Sequence, residues 1–291
     1  MFTRLVVPLD GTREANIAVP HALRMARVSG GAVTLLRVVS HARDTAEAQT
    51  FLDDVQRQYA APDLTIDTAV REGGDAAAAI LAEVKQRDAN LVVMRTRGRS
   101  GLTRAVLGSV AEKVVRQSPT PVLLLPPADQ SEASDSITSM LVPVDGSPGG
   151  SLALGIAGEL ARQSHASLQL LQVIQPVPPY QSSAMLMYGP MELDSAWNED
   201  AVSAAEAHVH ALANRLTGRG QVARGEALMA NEVPEAIIAN AVEHGCDLIV
   251  MSSHAHTGAA RAFIGSVTDA VVRSAKCPVL VIRREPESDA E

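Results

Sequence analysis

Short apolar runs of strand length alternate along the chain with longer alanine-rich segments of helical period: Leu5–Leu9, then 14–28, then Val33–Val39. The short runs predict strands and the longer ones amphipathic helices, so the chain opens on a β-α-β rhythm. Later runs such as Leu91–Met94 and Val122–Leu125 are apolar on both alternating faces. Such strands belong in a parallel sheet covered by helices on either side.

The pattern repeats. Leu-Val-Val-Pro-Leu-Asp-Gly ending at Gly11 is echoed by Leu-Val-Pro-Val-Asp-Gly ending at Gly146, a shift of 135 positions that carries Asp10 onto Asp145. The same shift carries Leu35–Val39 onto Leu170–Ile174. Further on, a shift of 157 positions carries Met94 onto Met251, Gly108 onto Gly265 and Pro121–Leu125 onto Pro278–Ile282. The 22 positions gained are a Pro-, Met- and Tyr-containing stretch from about Gln175 to Trp197, a β-to-α connection suited to a lid, a dimer contact or a loose loop. The expected organisation is a first domain over 1–127, a polar, proline-led linker over 128–137, a second domain over 138–284 and an acidic tail over 285–291. The fold class is α/β: two tandem doubly wound domains, each with a five-stranded parallel sheet flanked by helices. In such sheets ligands bind beyond the carboxyl ends of the strands at the topological switch point. Asp10 follows the first strand, Val38 and Val39 end the second, and 95–101 follow the fourth.

Composition narrows the partners. The 291 residues suffice for two ordinary domains, and 46% of them are hydrophobic, but only 2% are aromatic. Base-stacking platforms for nucleic acid are therefore not expected. A formal net charge of -8 has the wrong sign for a nucleic-acid or anionic-membrane binder. No apolar stretch approaches the roughly 18 residues of a membrane span, and the apolar run before Pro8 is too short for a signal peptide. Two cysteines, Cys246 and Cys277, make no disulfide framework and lack metal-ligand spacing, which points to a reducing cytoplasmic setting.

The densest chemical signal is the segment from Met94 to Ser109, where a strand runs into a glycine-bearing loop and a Gly-Ser pair opens a helix. Glycines let backbone amides approach a phosphate, and a helix N-terminus offers unpaired N–H groups with about half a positive charge. Equally, Gly98 and Gly101 serve as turn residues and Ser109 as a helix cap. Arg97, Arg99 and Arg104 form either a cationic rim or a solvated face. His208 and His210, two apart on a helix, face different sides, and no carboxylate or cysteine completes a ligand set with His165, His244, His254 or His256, so no metal site is expected. There is no phosphate-binding loop of the G-x-x-x-x-G-K-[ST] type, and none of the lysines Lys85, Lys113 and Lys276 lies in the glycine-bearing segments. No nucleophile elbow or Ser-His-Asp spacing marks a catalytic residue either.

The Val-Pro-Leu-Asp-Gly start, the Met94–Ser109 segment and the closing Pro-Val-Leu-Leu and Pro-Val-Leu-Val runs together resemble the universal stress protein family in its tandem form. That resemblance implies an adenine nucleotide alpha hydrolase-like fold and covers all but the linker, the insertion and the tail. Nucleotide-binding members carry G-x-x-G-x9-G-[ST]. Here Arg95, Gly98, Gly108 and Ser109 occupy those places in the first copy, and Ser252, Ala255, Gly265 and Ser266 in the second. The resemblance implies that Asp10 and Asp145 contact adenosine, with the Val38 and Val173 backbone beside adenine. Ribose and phosphates would lie against Arg95, Gly98, Gly108, Ser109 and Val110, and against Ser252, Ala255, Gly265, Ser266 and Val267. Pro8, Met94, Pro143 and Met251 complete the expected binding set. Arg95 either turns outward or pairs with phosphate. The implied ligand is ATP or another adenine nucleotide, with Mg²⁺ or Mn²⁺ held mainly by the phosphates. The implied role is a stress-response regulator that is not a turnover enzyme; a nucleotide-free interaction module and a slow hydrolase are the alternatives. The last strand of each copy is expected to pair with the other as an internal pseudo-dimer, and two chains to associate further as a homodimer.

Overall fold

The computed structural model describes residues 1–96, 107–126, 136–176, 193–253 and 264–283, without side-chain detail at 148–149 and 193–197. The first copy contributes β1 (Arg4–Pro8), α1 (Ala18–Ser29), β2 (Ala32–Val39), α2 (Thr45–Gln58), β3 (Thr65–Glu72), α3 (Ala76–Gln86), β4 (Leu91–Arg95), α4 (Ser109–Gln117) and β5 (Val122–Leu125). The second contributes β6 (Ser139–Pro143), α5 (Pro148–Ser164), β7 (Ser167–Ile174), α6 (Leu193–Thr217), β8 (Ala223–Met229), α7 (Val233–Glu243), β9 (Leu248–Ser253), α8 (Ser266–Ser274) and β10 (Val279–Arg283). The domain boundary expected near 127, most of the linker, the insertion over 177–192 and the tail from 285 lie outside the described residues.

All ten strands form one sheet in the order β3-β2-β1-β4-β5-β10-β9-β6-β7-β8. Each half is parallel, and the halves meet where β5 and β10 pair antiparallel, with Leu124 opposite Val279, Leu123 opposite Leu280 and Val122 opposite Val281. These six side chains are almost wholly buried. The expected pairing of the two last strands is therefore present, and it removes what would otherwise be two exposed apolar edges. Because successive side chains point to opposite faces, the sheet feeds two cores. Leu5, Val7, Leu123 and Leu280 belong to the core beneath α1, α2, α5 and α6, and Val6, Val92, Leu124 and Val279 to the core beneath α3, α4, α7 and α8. Both cores run across the two copies. A contact between α1 and α5 adds to this union: the Ser29 hydroxyl donates to Gln163 Oε1 at 3.2 Å.

Two local details differ from the sequence pattern. The first helical segment begins with a 3-10 turn at Ala15–Ile17, and the α-helix proper starts at Ala18. Pro20 has no N–H to donate back to residue 16, so it suits the first turn of a helix and not its interior. The stretch read as a connection up to Trp197 already has helical backbone from Leu193.

The shared cores predict one cooperative unfolding transition for both copies in urea. Leu280→Ala, which empties a fully buried position at the seam, moves that whole transition by about 2–5 kcal/mol. Two separate transitions, only one of them shifted, would contradict a single united sheet.

Candidate functional site

In each half, the strand order reverses between the first and fourth strands of the copy, β1/β4 and β6/β9. Connections leave the carboxyl ends of these strands in opposite directions and open a crevice there. In the first copy this crevice is a cavity of about 340 Å³ between the ends of β1, β2 and β4 and the starts of α3 and α4. Of the residues expected to bind a ligand, it brings together Pro8, Asp10, Val38, Met94, Arg95, Gly108, Ser109 and Val110. Gly98 lies outside the described residues, as do Arg97, Arg99 and Arg104.

The walls follow from local chemistry. Gly11, at φ +83°, turns the chain sharply after β1, and the half-buried Asp10 fixes that turn through Oδ1. It accepts the Thr12 N–H at 2.9 Å and the Thr12 hydroxyl at 2.6 Å. One carboxylate oxygen is thus engaged in the turn while the residue lines the cavity. Val38, Leu36, Ile80 and Met94 supply an apolar lining. Gly108 N–H donates to Thr96 O at 2.7 Å, and Thr96 N–H donates to Leu125 O at 3.0 Å, so the start of α4 is held against the ends of β4 and β5. Gly108 is the residue before α4, and Ser109 is its first helical residue. The first amides of α4 have no carbonyl behind them in the helix, which leaves donors and the positive end of the helix dipole at the cavity. Arg95, at the end of β4, donates from Nη1 to Glu14 O at 3.2 Å. Its guanidinium reaches the loop after β1 and brings a cation to the cavity wall.

Next to the lining residue Ala76 stands an exposed ion pair that the sequence reading did not anticipate. Asp75 precedes α3 and accepts the Ala78 N–H at 3.2 Å, while Lys113 on α4 donates to its other oxygen. The start of α3 is thereby tied to the middle of α4. The Lys113 ammonium and then the Ala78 amide hold the Asp75 carboxyl below its ordinary value.

The second copy has the same position but a smaller hollow of about 170 Å³. Pro143, Asp145, Val173, Met251, Ser252 and Val267 line it. Gly265 and Ser266, at the start of α8, are not among its described walls, and Ala255 lies outside the described residues. Asp145 Oδ1 accepts the Ser147 N–H at 2.9 Å, repeating the Asp10 turn, with Gly146 at φ +77°.

Residues that the motifs did not flag also line the clefts: Ala76, Ile80 and Ala111 in the first, Val233, Ile237 and Thr268 in the second. The shift of 157 positions relates each pair, so extending the repeat into these helices is the signal that finds them. The described histidines stand elsewhere: His208 Nδ1 lies 2.9 Å from Gln172 Oε1, His244 Nε2 3.1 Å from Glu226 Oε2, and His165 closes α5. Among the described residues, no three His, Cys, Asp or Glu side chains cluster as a metal site would need.

The profile of the family described as Universal stress protein family matches residues 1–126 and 137–283. A universal stress protein from Mycolicibacterium smegmatis is 26% identical over 96% of this chain and 96% of its own length. One from Mycobacterium tuberculosis is 26% identical over 68% of this chain, which spans 63% of that relative. The crystal structure of a universal stress protein from Archaeoglobus fulgidus superposes with a TM-score of 0.73 at 19% identity, covering 97% of each chain, which establishes the shared fold.

An NMR titration checks this ion pair. The Asp75 carboxyl titrates below the ordinary 3.8, and Lys113→Ala moves it upward. Since a lowered folded value favours the folded state above the ordinary value, this contribution fades as pH falls through the lowered one. An Asp75 titration that Lys113→Ala leaves in place would rule out the pair as its cause.

Proposed function

The chain belongs to the universal stress protein family, two copies of whose domain occupy residues 1–126 and 137–283, and from that premise we propose that it binds an adenine nucleotide, ATP foremost, in the first cleft and acts as a stress-response regulator instead of a turnover enzyme. The observation that carries this reading is the convergence on one cavity of an acceptor, an apolar slot and an anion site. Asp10 offers carboxylate oxygen to donors of the adenosine moiety. Val38, Leu36, Ile80 and Met94 fit a flat apolar base. The amides at the start of α4, the Ser109 hydroxyl and the Arg95 cation suit the phosphates. At about 340 Å³ the cavity falls within the usual range for small-molecule sites, roughly 300–1,000 Å³. A Mg²⁺ or Mn²⁺ ion would accompany the phosphates, which supply most of its oxygens.

The same reading places the protein in the cytoplasm. Cys246 and Cys277 are not in a disulfide, and burial pushes the Cys246 thiol up, away from the reactive thiolate. No helix among the described residues is long and apolar enough to cross a membrane. Since β5 and β10 already pair with each other, association of two chains falls to other surfaces, such as the helical faces or the β3 and β8 edges.

The test is to denature freshly purified, tag-free protein and identify released adenine nucleotide by chromatography and mass spectrometry, with calorimetric titration of Mg²⁺-ATP into stripped protein. Asp10→Ala and Gly108→Glu each weaken binding about 10- to 100-fold, the loss of a hydrogen bond to a charged group or its reversal. Gly108 at φ -62°, ψ 143° has a backbone that any residue adopts, so Gly108→Glu keeps the fold, and circular dichroism checks the fold of Asp10→Ala, which gives up the two turn bonds to Thr12. Phosphate release stays at the no-protein rate. Absence of nucleotide together with no binding of added Mg²⁺-ATP, or unchanged affinity in both variants, would overturn the proposal.

A further inference from the structure

Resting on the nucleotide reading above, we infer that the chain takes one nucleotide and not two, and that the second cleft is closed by its own side chains at Val233 and Thr268. The two clefts occupy equivalent places in one sheet, so each serves as a control for the other. The first residue of α3, Ala76, becomes Val233 at the start of α7, and Ala111 in the first turn of α4 becomes Thr268 in α8. Each exchange adds two heavy atoms to a wall. The four added atoms take up space in the second hollow, which at about 170 Å³ is half the first cavity of about 340 Å³. What remains lies below the roughly 300 Å³ at which small-molecule sites begin.

Other observations point the same way. Thr268 is 4% exposed, and its hydroxyl donates to Ser252 O at 3.3 Å, tying α8 to the end of β9; Ala111 has no side-chain donor with which to make that tie. Gly265 precedes α8 at φ +92°, against -62° at Gly108, so the chain enters the two helices differently. In the second copy Val267 and Thr268 still line the hollow, but Gly265 and Ser266 are not among its described walls, whereas Gly108 and Ser109 both line the first cavity. Arg95, the cation of the first cleft, is Ser252 in the second. After the Asp145 turn the chain passes straight into α5 at Pro148, whereas the first copy interposes the 3-10 turn Ala15–Ile17 before α1. Gly150 thereby lies so close to Asp145 that a Cβ there would stand 3.0 Å from its Oδ1. The second copy keeps the framework of a site and completes the sheet without the space for a ligand.

The experiment counts nucleotides on the intact chain by native mass spectrometry at saturating Mg²⁺-ATP, with circular dichroism confirming the fold of each variant. Wild type holds one ATP; when ATP is lowered to near the wild-type dissociation constant, Asp10→Ala empties that site and Asp145→Ala leaves it filled as in wild type. The double variant Val233→Ala/Thr268→Ala gains a second. The converse double variant, Ala76→Val/Ala111→Thr, loses the first, and gives a separate reading should the opened cleft fold poorly. Two ATP on the wild type, or one that follows Asp145 in place of Asp10, overturns the inference while the nucleotide reading stands. One ATP on a folded Val233→Ala/Thr268→Ala chain overturns the role of these two side chains. No ATP on any variant defeats the nucleotide reading itself.

Discussion

The antiparallel ladder between β5 and β10 is the interaction on which the rest of the architecture depends. Each half-sheet is parallel and would by itself end on a short, wholly apolar strand, a template for unwanted pairing. Joining the two strands consumes both edges and continues each core across the seam, where Leu123, Leu124, Val279 and Leu280 are all fully buried. The ladder also fixes direction. Because the two central strands run opposite ways while each half is parallel, the carboxyl ends of β1 and β4 point away from those of β6 and β9. The two clefts therefore open at opposite ends of one sheet and share a rigid middle.

Duplication within one chain frees the copies to diverge, since neither has to serve as its own partner. The divergence is concentrated at the strand ends. Both copies keep the Asp-Gly turn and the apolar strands, which hold the fold. They part at the first turns of the flanking helices, at positions that line a ligand-sized space. In the first copy small side chains at Ala76 and Ala111 line that space, and the pair Asp75–Lys113 ties the start of α3 to the middle of α4. In the second, Ala270 stands where Lys113 would be and Glu232 where Asp75 would be, so that tie has no counterpart.

Much of this was legible in the sequence because it rests on periodicity and repetition. Strands apolar on both faces announced the parallel sheet, the shifts of 135 and 157 positions announced two copies, and Asp10, Gly108 and Ser109 stood out because turn and helix-start chemistry uses few residue types. The helix starts that decide cleft size were not legible in that way. Alanine at position 76 looks like any helix former until the fold sets it beside a strand end. Lys113 and Asp75 are 38 residues apart in sequence and meet only because α3 and α4 pack side by side. For Arg95 both orientations were open from its position alone, and it is the contact with Glu14 O that shows where the side chain goes. Trp197 was read as part of a connection because helical period is weak across a stretch that also contains prolines and tyrosine.

The central claim is that the start of α4, and not that of α8, receives the phosphates. The most direct measurement is hydrogen exchange of the backbone amides with and without Mg²⁺-ATP. Amides in a helix's first turn lack intrahelical partners and exchange readily, so occupation by a phosphate reports itself there. The account predicts ATP-dependent protection at Ser109, Val110 and Ala111 and none at Ser266, Val267 and Thr268. Protection that is equal at both helix starts, or absent from Ser109–Ala111 while ATP is bound, would contradict it.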